Sequence, residues 1–218
     1  MRRILRPSLI AAFFLAASVY GTVHGAPFQA PPMTHFSESD KADLQRISAY
    51  LNSLQSIEGH FLQIAGNGKS EQGTFYLKKP GRVRFEYQQP NPNLIIADGK
   101  TVAVQNSALH TTDRYPLLDS PLRLLLSDNI DLGNDRHITA LTREPGALSV
   151  IAEERNGPAT GRVTLTFADT GGTLELRQWE VVDAKGAHTR VVVSDLHSVA
   201  DIAPQLFVIQ DLSPFKKG

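Results

Sequence analysis

Very few side chains in this sequence are placed where they could do chemistry. The seven histidines are scattered, and none takes a His-Glu-x-x-His or other close metal-ligating spacing. Cysteine is absent, which removes thiolate metal sites and a cysteine nucleophile. No Gly-x-Ser-x-Gly elbow occurs. Asp98-Gly99-Lys100-Thr101 holds the Gly-Lys-Thr of a phosphate loop, but Leu94 stands where that loop needs its first glycine. Asp-Gly reads instead as a hairpin turn. Glu58 and His60 share one parity on a strand, where a general base is conceivable; a solvated strand face is the simpler account. Asp169 and Asp195 fall at strand ends, where acidic residues are ordinary. No acid–base pair emerges, and the reading is of a protein that is not an enzyme and needs no metal and no cofactor.

The informative stretch is Gly73 to Tyr87, GTFYLKKPGRVRFEY. Pro80-Gly81 marks a turn. Phe75, Leu77 and Lys79 share one parity before it, and Val83, Phe85 and Tyr87 share another after it, as in a hairpin with one apolar and one wet face. Parity therefore puts the cation of Lys79 at the rim of the apolar face. Such a lysine either snorkels to water or holds something.

Around that hairpin, the chain divides simply. Residues 1–26 read as a cleaved signal peptide: Arg2, Arg3 and Arg6, then the short apolar run Leu9 to Tyr20, then small residues ending at Gly25-Ala26. Cleavage falls after Gly25 or Ala26. An exported protein of the bacterial periplasm is expected, with no later run long enough to cross a bilayer. The chain carries 22 basic and 22 acidic residues; losing three arginines leaves a net charge of about −3. That balance argues against nucleic acid as a partner. With no cysteine in an oxidising compartment, packing must supply the stability.

Residues 27–37 are Pro-rich and read as a flexible leader; 38–218 read as one domain. A helix follows the leader, capped by Ser37 or Ser39, with Leu44, Ile47, Leu51 and Leu54 forming one apolar stripe. Strands are expected at Ile57–Ala65, in the hairpin, at Leu94–Ala97, Thr101–Gln105 and Leu109–Arg114, then near 136–143, 147–154, 161–168, 173–183, 188–196 and 205–210. Asn156-Gly157-Pro158 is among the turn signals between them. Between the two runs lies a greasy helix opened by Ser120-Pro121 and carrying Leu122, Leu124, Leu125 and Leu126. The fold class is mainly β (α+β): about eleven antiparallel strands in one sheet, which must curl. A curled sheet under so little helix either keeps a dry hollow that binds apolar ligands or fills it with its own side chains.

In order, the amphipathic helix running into Phe61-Leu62-Gln63, Gly73-x-Phe75-x-Leu77, Lys79-Pro80, Val83-x-Phe85, Pro90, Ile95-Ile96-Ala97-Asp98-Gly99-Lys100-Thr101, Ser120-Pro121 and the strands around Gln178-Trp179 resemble the periplasmic outer-membrane lipoprotein carrier (LolA) family. The resemblance spans nearly all of the mature chain. It implies a strongly curled half-barrel with helical lids and a hydrophobic cavity for lipoprotein acyl chains. It also implies an inner-membrane ABC transporter as donor, an outer-membrane acceptor, no catalysis, and a monomer. Many members carry arginine before the hairpin proline, bonded to lid-helix carbonyls; here the residue is Lys79, without the planar fork. Cavity positions that are often tryptophan are not so here, Trp179 being the sole tryptophan. On this footing Phe61, Phe75, Leu77, Val83, Phe85, Tyr87, Ile95, Val102 and Val104 are expected to line the cavity. Leu44, Ile47, Leu51 and Leu54 roof it, and Leu122 with Leu124 to Leu126 form a lid latched by Lys79. Taken singly, each of these is as readily ordinary core. The alternative function is a lipid-sensing or free-lipid-binding module of the same fold.

Overall fold

A computed structural model of the chain describes residues 36–120, 123–155 and 160–212. The expected signal peptide, most of the leader, Pro121, Leu122, the turn at 156–158 and the tail from Ser213 lie outside the described residues.

The first element is helix α1, Glu38–Ser53. Ser37, not Ser39, caps it. The Ser37 hydroxyl accepts from the Asp40 amide at 3.2 Å, and Asp40 accepts from the Ser37 amide at 2.9 Å. This reciprocal box satisfies amides that the first turn leaves orphaned. The hydrogen bonds from Ser37 and then from Arg143 hold the Asp40 carboxyl down at about 2. Leu44, Ile47 and Leu51 fall on one face and are buried.

Eleven antiparallel strands make one sheet. In chain order they are β1 (Ser56–Ala65), β2 (Ser70–Lys78), β3 (Arg82–Tyr87), β4 (Asn93–Asp98), β5 (Thr101–Asn106) and β6 (Thr111–Pro116). After a short helix α2 (Arg123–Leu126) come β7 (Ile138–Glu144), β8 (Ala147–Glu154), β9 (Gly161–Thr170), β10 (Thr173–Asp183) and β11 (His188–Ser198). Across the sheet the order is β6-β5-β4-β3-β2-β1-β11-β10-β9-β8-β7. Two meanders thus meet at β1, which pairs with β2 on one side and the last strand on the other. The sheet is open: β6 and β7 are its edges.

One face of this sheet is apolar across most of its strands. The inward residues pair in register as Phe61↔Val193, Phe75↔Phe85, Leu77↔Val83, Phe85↔Ile95, Ile95↔Val104, Trp179↔Val191, Leu165↔Trp179 and Leu148↔Phe167. All fall in a single hydrophobic cluster together with α1 and the 117–132 connection. One cluster spanning so many strands requires the sheet to curl around it.

Two expectations are corrected. Residues 205–210 are not a strand: Pro204–Phe207 is a 3-10 turn. Both sides of the preceding strand, β11, are already taken, by β10 and β1, so the segment cannot continue the meander beside it. The segment crosses the outer face instead. The Arg82 guanidinium lies 5.9 Å over the Phe207 ring, and Arg84 donates to the Leu206 carbonyl at 3.0 Å. Ile96 and Ala103 on that outer face are fully buried, as are Ile202 and Phe207. The strand expected at Leu109–Arg114 begins only at Thr111, because His110 takes a left-handed conformation (φ 52°) in the turn before it.

Candidate functional site: a roofed apolar trough

The floor is aromatic and closely fitted. Phe61 lies edge-on to Phe85 (5.3 Å) and to Tyr87 (5.1 Å), Phe75 stacks on Phe85 (5.7 Å), and Trp179 meets Phe85 at 6.2 Å. Such pairs add to their burial. Glycine makes room for these rings. A Cβ on Gly73, directly opposite Phe61, would sit 2.8 Å from the Phe61 ring and 1.9 Å from the Glu86 carbonyl oxygen.

Two pieces cover the floor. Helix α1 lies at the end bearing the β2–β3 and β9–β10 turns. Arg46 reaches Asp169 there at 2.9 Å, and Tyr50 accepts from the Leu176 amide at 2.9 Å. The second cover is the connection from Leu117 to Leu132, which buries Leu117, Leu124, Leu125, Leu126, Ile130 and Leu132. A few hydrogen bonds hold it to α1. The Asn52 side chain donates to the Ile130 carbonyl and accepts from the Ile130 amide, both at 2.9 Å, and Ser48 accepts from the Leu132 amide at 3.0 Å.

The β2–β3 turn grips both covers. Lys79 is buried, and its Nζ donates to the Leu51 carbonyl at 2.8 Å. Its backbone amide donates to Gln55, and the Gly81 amide to Leu126, at 2.8 and 2.9 Å. The lysine side chain thus meets the last turn of α1, where the helix leaves carbonyls unpaired. The short leucine helix is held by Gly81 instead. This corrects the expectation that Lys79 latches the leucine-rich lid. Burial pushes the Lys79 ammonium down to about 8, with Asp128 pulling weakly the other way. Gly81 has φ 74°, and a Cβ there would strike Gly99 at 2.7 Å, so the hub needs glycine.

The structure brings together the residues singled out from sequence. Phe61, Phe75, Leu77, Val83, Phe85, Ile95, Val102, Leu44, Ile47, Leu51, Leu124, Leu125 and Leu126 are all buried in one cluster. Leu54, Tyr87 and Val104 are partly buried against it. Leu122 lies outside the described residues. The sequence reading missed the opposite wing of the trough: Leu148, Val150, Leu165, Phe167, Trp179, Val191 and Val193. Alternation in β9 and β11 was the available signal. His60 is exposed on the other face, since Gly59 and Phe61 of the same strand point inward. Asp98 accepts from the Lys100 and Thr101 amides at 2.9 and 2.8 Å, a turn and not a phosphate cradle. Among the described residues no group of carboxylate, histidine or cysteine side chains could hold a metal.

Away from α1, the trough becomes polar. The Tyr87 hydroxyl donates to Gln63 at 2.7 Å; burial raises that phenol, and Glu71 adds to the shift. Trp179 and Thr189 are 3 % and 2 % exposed, yet the indole N–H and the threonine hydroxyl have no hydrogen-bond partner. Each such orphan costs about 1–3 kcal/mol.

An apolar floor under two covers, α1 and the 117–132 connection, is the architecture of the site. Residues 52–210 match the sequence profile of the family described as "Outer membrane lipoprotein carrier protein LolA". The chain belongs to that family, whose members are carriers and not enzymes. It is 23% identical to an outer-membrane lipoprotein carrier protein of Idiomarina loihiensis, over 79% of this chain and 86% of the relative. It is 24% identical to one of Pseudomonas paraeruginosa, over 93% and 99%. Among solved structures, an uncharacterized conserved protein from Thermus thermophilus aligns at TM-score 0.48 and 12% identity, over 81% of this chain and 98% of that one. Among the described residues no helix is long and apolar enough to cross a membrane.

Proposed function

We propose that this chain is a periplasmic carrier that lodges the acyl chains of lipoproteins in the trough. It takes them from an inner-membrane ABC transporter, delivers them to an outer-membrane acceptor, and works as a monomer. Residues 1–26 serve as its export signal and 38–218 as one carrier domain. The observation that carries this reading is the way the trough is covered. Its floor is largely apolar, and its covers are tied down by hydrogen bonds at Lys79, Gly81, Asn52 and Ser48 rather than by strand pairing.

The energetics require such a cover. A buried methylene is worth about 0.8 kcal/mol, so a long acyl chain leaves a membrane only if a comparable apolar surface receives it. That surface must be shielded when empty, or it would aggregate. Here α1 and the 117–132 connection bury it, and opening exposes it. Contacts to Phe, Leu, Val and Trp are numerous and non-directional, which suits a ligand that has to be handed on.

The test mixes the mature protein with inner-membrane vesicles bearing a labelled lipoprotein and an active transporter. A soluble one-to-one complex of carrier and lipoprotein is expected. Label that stays in the membrane at every carrier concentration rejects the proposal. Phospholipid recovered in place of lipoprotein moves the assignment to the free-lipid module.

A further inference from the structure

We propose that the end of the trough remote from α1 is a polar collar for the ester carbonyls of a diacylglyceryl group. Trp179 Nε1 and Thr189 Oγ1 are its hydrogen-bond donors. This rests on the reading of the trough as an acyl-chain site.

Strand direction fixes the geography. Helix α1 covers the end near Lys79, Asp169 and Leu176. From Leu176, β10 runs away from the roof through Trp179 and Val181 to the turn at Asp183, and β11 returns from His188. Trp179 pairs with Val191, while Thr189, two residues earlier, pairs with Val181. The two side chains are therefore diagonal neighbours on the inner face. Across β11, Thr189 pairs with Ala65 and Val191 with Gln63, which brings in the Gln63–Tyr87 bond of the same end.

That bond leaves the tyrosine hydroxyl and the glutamine carbonyl satisfied. The indole N–H and the threonine hydroxyl beside them are buried without any partner, against the strong rule that buried polar groups are paired. An indole N–H can only donate, so its missing partner is an acceptor. The collar also sets the charge of that acceptor. Glu71 lies on the inner parity of β2, and the nearby cation, Lys69, is already paired to it at 2.6 Å. With a carboxylate on the same face and its neighbouring ammonium already paired, a carboxylate or phosphate is disfavoured. A neutral carbonyl fits. An ester placed there sends its chains toward α1 along Phe61, Phe85, Phe75 and Val193, all buried and apolar.

The chemistry predicts discrimination between an ester and the matching ether, which has equal tails and no carbonyl. The probes are dihexanoyl-glycerophosphocholine and its di-O-hexyl analogue, and a dipalmitoylglyceryl-cysteine peptide and its dialkyl analogue. Affinities are measured by calorimetry on the mature protein and on Trp179→Phe, Thr189→Val and the double variant. The wild type should bind the ester of a pair about five-fold more tightly for each hydrogen bond made. Each single variant should lose part of that preference and the double variant all of it. Trp179 is the only tryptophan, so its emission should shift on adding ester and less on adding ether. Thr189→Val, nearly isosteric, carries the test alone if Trp179→Phe does not fold. Preference in the peptide pair alone assigns the collar to lipidated polypeptide; preference in both pairs assigns it to the shared diacylglycerol ester. Equal binding of ester and ether by the wild type, or a preference that survives the double variant, overturns the collar while leaving the trough. Binding of neither probe rejects both.

Discussion

Replacing Lys79 by methionine separates the charge of the clasp from its bulk. The ammonium donates to Leu51 at 2.8 Å while almost excluded from water, and its pKa falls to about 8 from 10.5. That difference is worth about 3 kcal/mol against the folded state wherever the group stays charged in both states. A hydrogen bond from a charged donor returns about 1.5–3 kcal/mol. The two nearly cancel, so at about pH 7 Lys79→Met should change global stability by only about 1 kcal/mol. The pH dependence is the sharper readout. Between the folded and unfolded pKa values the unfolded chain binds more protons, so stability from this group rises with pH. It is complete above the unfolded value and lost as pH falls toward the folded one. From about pH 7 to about pH 9.5 the wild type should gain about 2 kcal/mol relative to the variant. Urea denaturation of both proteins across that range measures the difference. Parallel profiles would refute the reasoning, because they would mean that the ammonium is already solvated.

Gly73→Ala should destabilise by at least about 2 kcal/mol, since the new methyl group meets the Glu86 carbonyl and the Phe61 ring; a denaturation midpoint unchanged from wild type counts against the packing described. Asn52→Leu removes both bonds to Ile130 and should cost about 1–3 kcal/mol. Hydrogen exchange should then quicken at Ile130 and Leu132 but not in β9 or β10. Asp40 titrates at about 2, held there by Ser37 and Arg143. Its stabilisation is present above the ordinary carboxylate range and lost as pH falls through that value. Asp40→Asn should therefore flatten the acid limb of the stability profile, and an unchanged limb would show that the capping box contributes nothing.

Much of the floor was legible because alternation survives in β2 and β3. The parity that put Phe75, Leu77 and Lys79 on one face also placed a cation against the roof. Which carbonyl it meets was not legible, because Leu51 is brought to it only by the docking of α1. In the opposite wing, Trp179 escaped for a local reason. A bulge between Leu176 and Gln178 shifts the register of β10 against β9. Leu174 and Leu176 then point inward on even numbers, and Trp179 and Val181 on odd ones. Strict alternation splits that strand between two faces and hides the tryptophan. The segment at 205–210 misled for a different reason. Its apolar residues, Leu206 and Val208 among them, imitate a strand, but continuing the meander needs the far side of β11, and sequence alone does not show that β1 occupies it.

The position of β1 has a consequence for biogenesis. The first strand made is the keystone between two wings, and its second neighbour is the last strand made. Until β11 arrives, one long side of β1 stays bare and the two meanders have no common spine. A chain that emerges N-terminus first therefore cannot finish its sheet before its last strand appears. The joining of distant strands comes late and slowly, and an exposed β1 edge is open to wrong partners in the meantime.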